Sequence, residues 1–163
     1  MMKKYLIFII FSFLLYSCAS TKNRENEHYL YGKYTWIDWQ KSAQWSDYTA
    51  SEYQTSEFLI SQIKEVSKTR KYELLLFLGN WCGDSKTEVP KIMKIIEQAE
   101  LDLARLELWG VDRDKTEPSG FAVKNDIEKI PTLVILTDGK EIGRIVEFPK
   151  ATWEQDILNI LIK

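Results

Sequence analysis

The chain has 163 residues and a formal net charge of −2, with 45% hydrophobic and 28% charged residues; that suits one globular domain with some appended sequence and excludes disordered, collagenous and disulfide-stapled classes. No basic block supplies the electrostatic footprint of a nucleic-acid binder. One histidine and two cysteines far apart in sequence, Cys18 and Cys82, furnish no local ligand cluster, so neither a metal nor a cofactor is expected.

Lys3 and Lys4 precede an apolar run from Tyr5 to Leu15 that only Ser12 interrupts. This is the n-region and h-region pattern of an export signal. The run is too short to cross a bilayer, which takes a helix of about 20 apolar residues. It ends at Leu15-Tyr16-Ser17-Cys18, which resembles the lipobox of bacterial lipoproteins, where a small residue precedes a cysteine that is lipidated and becomes the N-terminus. The resemblance implies a signal peptide over 1–17, a lipid on Cys18 and a membrane-anchored protein of the bacterial cell envelope. Ala19 gives no aspartate-type retention signal, which points to the outer membrane, facing the periplasm. The alternative is an uncleaved anchor or a plain secretory signal with an incidental cysteine. With Cys18 lipidated, Cys82 is the only thiol of the mature chain.

Residues 18–28 are polar and charged without apolar period and read as a tether, with His28 a solvated residue of it. From 29 to 55 the chain is an aromatic-rich extension carrying Tyr29, Tyr31, Tyr34, Trp36, Trp39, Trp45, Tyr48 and Tyr53. Such rings either stack on glycans or a partner protein, or pack on the main domain; large aromatic burial favours the second.

From about Ser56 the elements follow a definite order. Leu59, Ile63 and Val66 mark an amphipathic helix ending near Lys68. Tyr72 to Gly79 is a near-continuous apolar run, as in a buried central strand. Val89, Ile92, Met93 and Ile96 predict a helix over about 84–99. Ala104, Leu106 and Leu108 alternate with Arg105 and Glu107, so a second strand leads to Val111. A short helix fits Ser119 to Asn125. Pro131 precedes the apolar run Thr132 to Leu136, Asp138-Gly139 makes a hairpin turn, and Glu141 to Phe148 returns as a fourth strand. A last helix opens on a Thr152-x-x-Gln155 capping box, with Trp153, Ile157, Ile160 and Leu161 on one face.

Directly after the first strand stands Trp81-Cys82-Gly83-Asp84-Ser85, opening the next helix. This resembles the thioredoxin family, whose active site is Trp-Cys-Gly-x-Cys between the corresponding strand and helix. Pro90 within the helix, Val111-Asp112 closing the next strand and Ile130-Pro131-Thr132 before the hairpin fall in register with it. The Trp-Cys-Gly-Asp-Ser form is similar to a branch of thioredoxin-like lipoproteins of Bacteroidetes. The resemblance covers residues 56–163 and implies an α/β thioredoxin fold, a central mixed sheet of four to five strands flanked by helices, with Pro131 cis against the cysteine.

Only a thiolate attacks a disulfide, and a helix N-terminus favours the charged form of a cysteine placed there, so Cys82 is the expected nucleophile. Gly83 leaves room for a substrate backbone, Trp81 flanks the site, and a cis Pro131 would expose the Ile130 backbone to an extended substrate. Ser85 replaces the second cysteine: its hydroxyl can donate to the Cys82 thiolate but cannot resolve a mixed disulfide. Ser85-x-x-Glu88 also reads as a capping box. Leu76 stands where thioredoxins bury an aspartate, which argues against rapid dithiol reduction. The expected function is therefore monothiol exchange, reduction or isomerisation, with cysteine-containing exported proteins or small thiols. The alternative is a non-catalytic protein-binding lipoprotein on the same scaffold. A peroxidase reading lacks a threonine at position 79, which is Gly79.

Overall fold

The computed structural model describes residues 28–163. The expected signal segment 1–17, Cys18 and the expected tether up to residue 27 lie outside the described residues. The central strand β2 (Glu73–Leu78) is apolar after Glu73 and buried along that length because it has a strand on each side. It runs parallel to β3 (Leu106–Gly110), with Leu76 opposite Leu108, and antiparallel to β4 (Thr132–Thr137), with Leu76 opposite Leu133. The hairpin from β4 to β5 (Lys140–Val146) turns through Asp138 and Gly139, both at positive φ (49° and 72°), the conformation that a tight two-residue hairpin requires.

The aromatic segment is built into this body, in two elements that periodicity alone did not suggest. Gly32–Tyr34 forms β1, antiparallel to β3 at the sheet edge, completing the order β1-β3-β2-β4-β5. Trp36–Ala43 forms α1, started by Thr35, whose hydroxyl oxygen accepts the Asp38 N–H at 3.1 Å, and ended by Gln44 in the left-handed region. Trp39 and Trp45 are completely buried, packed edge to face with ring centroids 5.4 Å apart. Two such rings bury about 150–250 Å² each, roughly 4–6 kcal/mol apiece before ordering entropy is set against it.

Alternation along β2 divides the apolar interior in two. Leu74, Leu76 and Leu78 join the larger core with side chains of α2 (Glu57–Thr69), α3 (Gly83–Gln98), α5 (Trp153–Leu161) and the two buried tryptophans. Leu75 and Phe77 face a smaller core shared with Val111, Ile130, Val134 and Ala122 of α4 (Phe121–Lys124), against which Trp81 and Cys82 pack. The molecule is thus a mixed α/β sheet flanked by helices, with the cysteine at the edge of the smaller core.

Some boundaries differ from the expectations. Residues 103–105 form a 3₁₀ turn because the Asp102 carboxylate accepts the Ala104 N–H at 2.9 Å, so the strand starts only at Leu106. The short helix begins at Phe121 because Gly120 occupies positive φ. At α5, Thr152 accepts the Gln155 N–H at 3.2 Å, but the Gln155 amide donates to Asn159; the expected box contributes one cap bond. No helix among the described residues is long and apolar enough to cross a membrane.

Candidate active site

β2 delivers the chain to Gly79, and the space there admits no side chain: a Cβ would lie 2.7 Å from Trp81 Nε1 and 2.8 Å from Ile130 Cδ1. Trp81 turns back over this glycine, and its indole N–H donates to the Val111 carbonyl at 2.9 Å. The Arg113 guanidinium lies over the same ring, 4.7 Å from its centroid. The side chain before the cysteine is therefore fixed by the end of β3 rather than left to solvent.

Cys82 is the N-cap of α3. Its amide donates to the Gly79 carbonyl at 3.0 Å, its carbonyl accepts from Lys86 at 3.1 Å, and its sulfur accepts the Ser85 N–H at 3.5 Å. The helix thus presents one of its unpaired backbone donors to sulfur. On the other side the thiol donates to the Ile130 carbonyl at 3.6 Å. The Ile130-Pro131 peptide bond is cis, and the Pro131 carbonyl accepts the Glu147 N–H at 2.7 Å. Cys82 is half-buried and is the one free cysteine among the described residues. Gly83 is exposed, and beyond its chain neighbours and its own helix backbone nothing lies within 4 Å of where a Cβ would stand.

The structure brings Trp81, Cys82, Gly83, Ser85, Ile130 and Pro131 together, with two corrections of detail. Ser85 is completely buried and its hydroxyl oxygen accepts the Gly79 N–H at 3.3 Å; the serine group that reaches the sulfur is its backbone N–H. The Ser85-x-x-Glu88 box does not form, because Cys82 itself is the cap. Glu88 instead accepts the Trp153 indole N–H at 2.8 Å and pairs with Lys91 at 2.6 Å. Ile130 meets the cysteine through its backbone carbonyl, with its side chain buried in the smaller core. Leu76 is fully buried in the larger core, with no titratable group in its place.

Sequence reasoning missed Asn80. Its side-chain amide donates to the His28 carbonyl at 2.8 Å while its Oδ1 accepts the Leu30 N–H at 3.2 Å, clasping the incoming N-terminal segment two residues before Cys82. A polar amide between an apolar strand and Trp81 was the available sign. Arg113 was missed because nothing local ties it to residue 81. Among the described residues, no group of three or more His, Cys, Asp or Glu side chains is placed to hold a metal ion.

Comparison with known proteins places the sequence in a family. The family profile described as thioredoxin matches residues 24–158. Thioredoxin-1 of Saccharomyces cerevisiae is 32% identical over 109 residues, covering 67% of this chain and 90% of that protein. A TPR repeat-containing thioredoxin of Arabidopsis thaliana is 30% identical over 66% of this chain, which spans only 26% of that longer protein. The solved structure of mitochondrial thioredoxin 3 from Saccharomyces cerevisiae, in its oxidized form, matches with a TM-score of 0.36 and 24% identity over 53% of this chain and 76% of that one. The chain belongs to the thioredoxin family.

Proposed function

We propose that this protein is a membrane-anchored, monothiol member of the family, of the Bacteroidetes lipoprotein type, that forms mixed disulfides through Cys82 with cysteine-containing envelope proteins or small thiols. Family membership carries a thiol–disulfide redox role at a general level. The monothiol reading rests on one observation: the half-buried Cys82 caps α3, while the position one turn on is a buried serine engaged with Gly79. The thiolate of Cys82 attacks one sulfur of a partner disulfide, a Cys82–partner disulfide forms, and the other partner sulfur leaves as a thiolate. Ser85 carries no sulfur to break the new bond, so release falls to a substrate thiol or a small external thiol. Trp81, Ile130 and Pro131 frame the approach of the partner chain. The protein is anchored through a lipid on Cys18, in the outer membrane and facing the periplasm.

Trapping tests this reading. Cells are quenched in acid and alkylated, and species containing the protein are resolved without reductant. Mixed disulfides with envelope proteins are expected, lost in Cys82→Ser and restored to free thiols by dithiothreitol. Partner capture that persists in Cys82→Ser would transfer the function to non-covalent binding on the scaffold. The buried Trp39 and Trp45 are unavailable to such a binding face.

A further inference from the structure

Asn80 stands in the middle of the loop that delivers Cys82. Gly79 before it donates its N–H to the Ser85 hydroxyl at 3.3 Å and accepts the Cys82 N–H at 3.0 Å, and Trp81 after it is tied to the Val111 carbonyl at 2.9 Å. Asn80 adds a tie of another kind: its Nδ2 donates to the His28 carbonyl at 2.8 Å and its Oδ1 accepts the Leu30 N–H at 3.2 Å. Donating to one residue and accepting from the next but one is what the backbone of a parallel strand does with its neighbour, so this side-chain amide extends the ladder to a loop that has left the sheet. The partner segment is itself anchored. Leu30 is buried in the larger core, its carbonyl packs on Gly110, and β1 follows at once on β3. The sulfur that the loop carries lies between two opposed groups. The Ser85 N–H, which it accepts at 3.5 Å, favours the thiolate, whereas the Ile130 carbonyl, to which the thiol donates at 3.6 Å, favours the neutral form. The two distances are so close that a small displacement of the loop changes which group prevails.

We propose that Asn80 is a positioning residue of the exchange reaction: by fastening the reactive loop to the N-terminal segment, it holds the Cys82 sulfur on the donor side of that balance. This rests on the exchange reading of Cys82 and deepens it, since it makes the reactivity of the thiol depend on a segment some 50 positions away in sequence. Asn80 acts through the loop and takes no part in the bonds that form and break. Releasing the clasp lets the sulfur leave the Ser85 N–H for part of the time, which lowers the fraction of thiolate at a given pH without changing the thiolate's own rate of attack.

The test uses the full chain carrying Cys18→Ser, in which Cys82 is the single thiol, and the symmetrical disulfide of thionitrobenzoate. The Cys82 thiolate attacks one sulfur of that disulfide, a Cys82–thionitrobenzoate disulfide forms, and the old bond breaks with its electron pair leaving on the second, coloured thiolate; the Cys82 proton has gone to solvent. Rates are followed by absorbance from acid to alkaline pH with Asn80 intact, in Asn80→Ala and in Asn80→Ser, and hydrogen exchange of the Leu30 amide shows whether the clasp has been released. In both variants the Leu30 amide should lose protection, and the pH profile of the rate should move upward by about half a unit, a loss of about threefold at neutral pH, while the plateau rate at high pH stays within about twofold. A merely structural role would lower stability and leave the profile where it was. Asn80→Ser gives the same reading if Asn80→Ala does not fold. An unmoved profile in a variant whose Leu30 amide has become labile, a fall of the plateau alone, or a Leu30 amide that stays protected overturns this inference and leaves the exchange reading standing. No release of thionitrobenzoate at any pH with Asn80 intact overturns the exchange reading and this inference with it.

Discussion

Cys82 and Ser85 lie one helical turn apart, and the structure divides their work. The half-buried cysteine has its sulfur on a backbone N–H, whereas the fully buried serine accepts the Gly79 amide. Ser85→Ala leaves that buried N–H without its partner and should cost about 1–2 kcal/mol in chemical denaturation, while adduct formation at Cys82 continues. Gly79→Ala makes a sharper prediction. Its new Cβ would sit under 3 Å from both Trp81 and Ile130, so the indole must move, with a loss of about 1–3 kcal/mol and a changed tryptophan fluorescence spectrum; an unshifted spectrum and wild-type stability would show that the loop yields without strain. The motif around Cys82 was legible because helix-start chemistry is local. The direction of the Ser85 hydroxyl was not, since it depends on where β2 ends relative to α3.

At the scale of elements, the holds on the N-terminal segment include β1 on β3, Trp39 and Trp45 in the larger core, and Tyr53 on α5. Gly110 makes the first possible, since a Cβ there would stand 2.0 Å from the Leu30 carbonyl oxygen and 2.8 Å from Trp39. Gly110→Ala should detach β1, seen as loss of hydrogen-exchange protection confined to residues near 32–34, and lower stability by about 3 kcal/mol. Tyr53 donates to Glu154 at 2.6 Å, and Glu154 also accepts the Ser56 N–H at 3.0 Å, the cap of α2. Burial alone would raise the Glu154 carboxyl, but these hydrogen bonds outweigh it and hold it below the usual range near 4.5. Because the folded value is depressed, this stabilisation is present above the ordinary value and is lost as pH falls through the folded one. Unfolding measurements below about pH 4.5 should show stability falling, with a shallower slope in Glu154→Gln; parallel slopes would mean that Glu154 titrates alike in both states. The strands and helices after residue 56 were readable from period and turn residues. β1 was not, because a three-residue edge strand carries no period and its pairing with β3 is a contact across some 75 positions of sequence, with Gly32 opposite Gly110.

For the whole molecule, the clasp of Asn80 on His28 brings the N-terminal segment into the body beside the reactive loop. With Cys18 lipidated as proposed, the ten residues to His28 reach at most about 35 Å when fully extended, which keeps Cys82 within reach of partners near the membrane surface. Cys18→Ser should move the protein from the membrane to the soluble fraction, read by fractionation, without changing Cys82 chemistry. The most direct measurement of the central claim is the fate of a Cys82 adduct. The purified protein is treated with glutathione disulfide, freed of small thiols and followed by peptide mass mapping. The account predicts one glutathione on Cys82 that persists until an external thiol is added, and that in Ser85→Cys is expelled without one as an internal disulfide forms. No adduct on Cys82, or a wild-type adduct that resolves unaided, would contradict it.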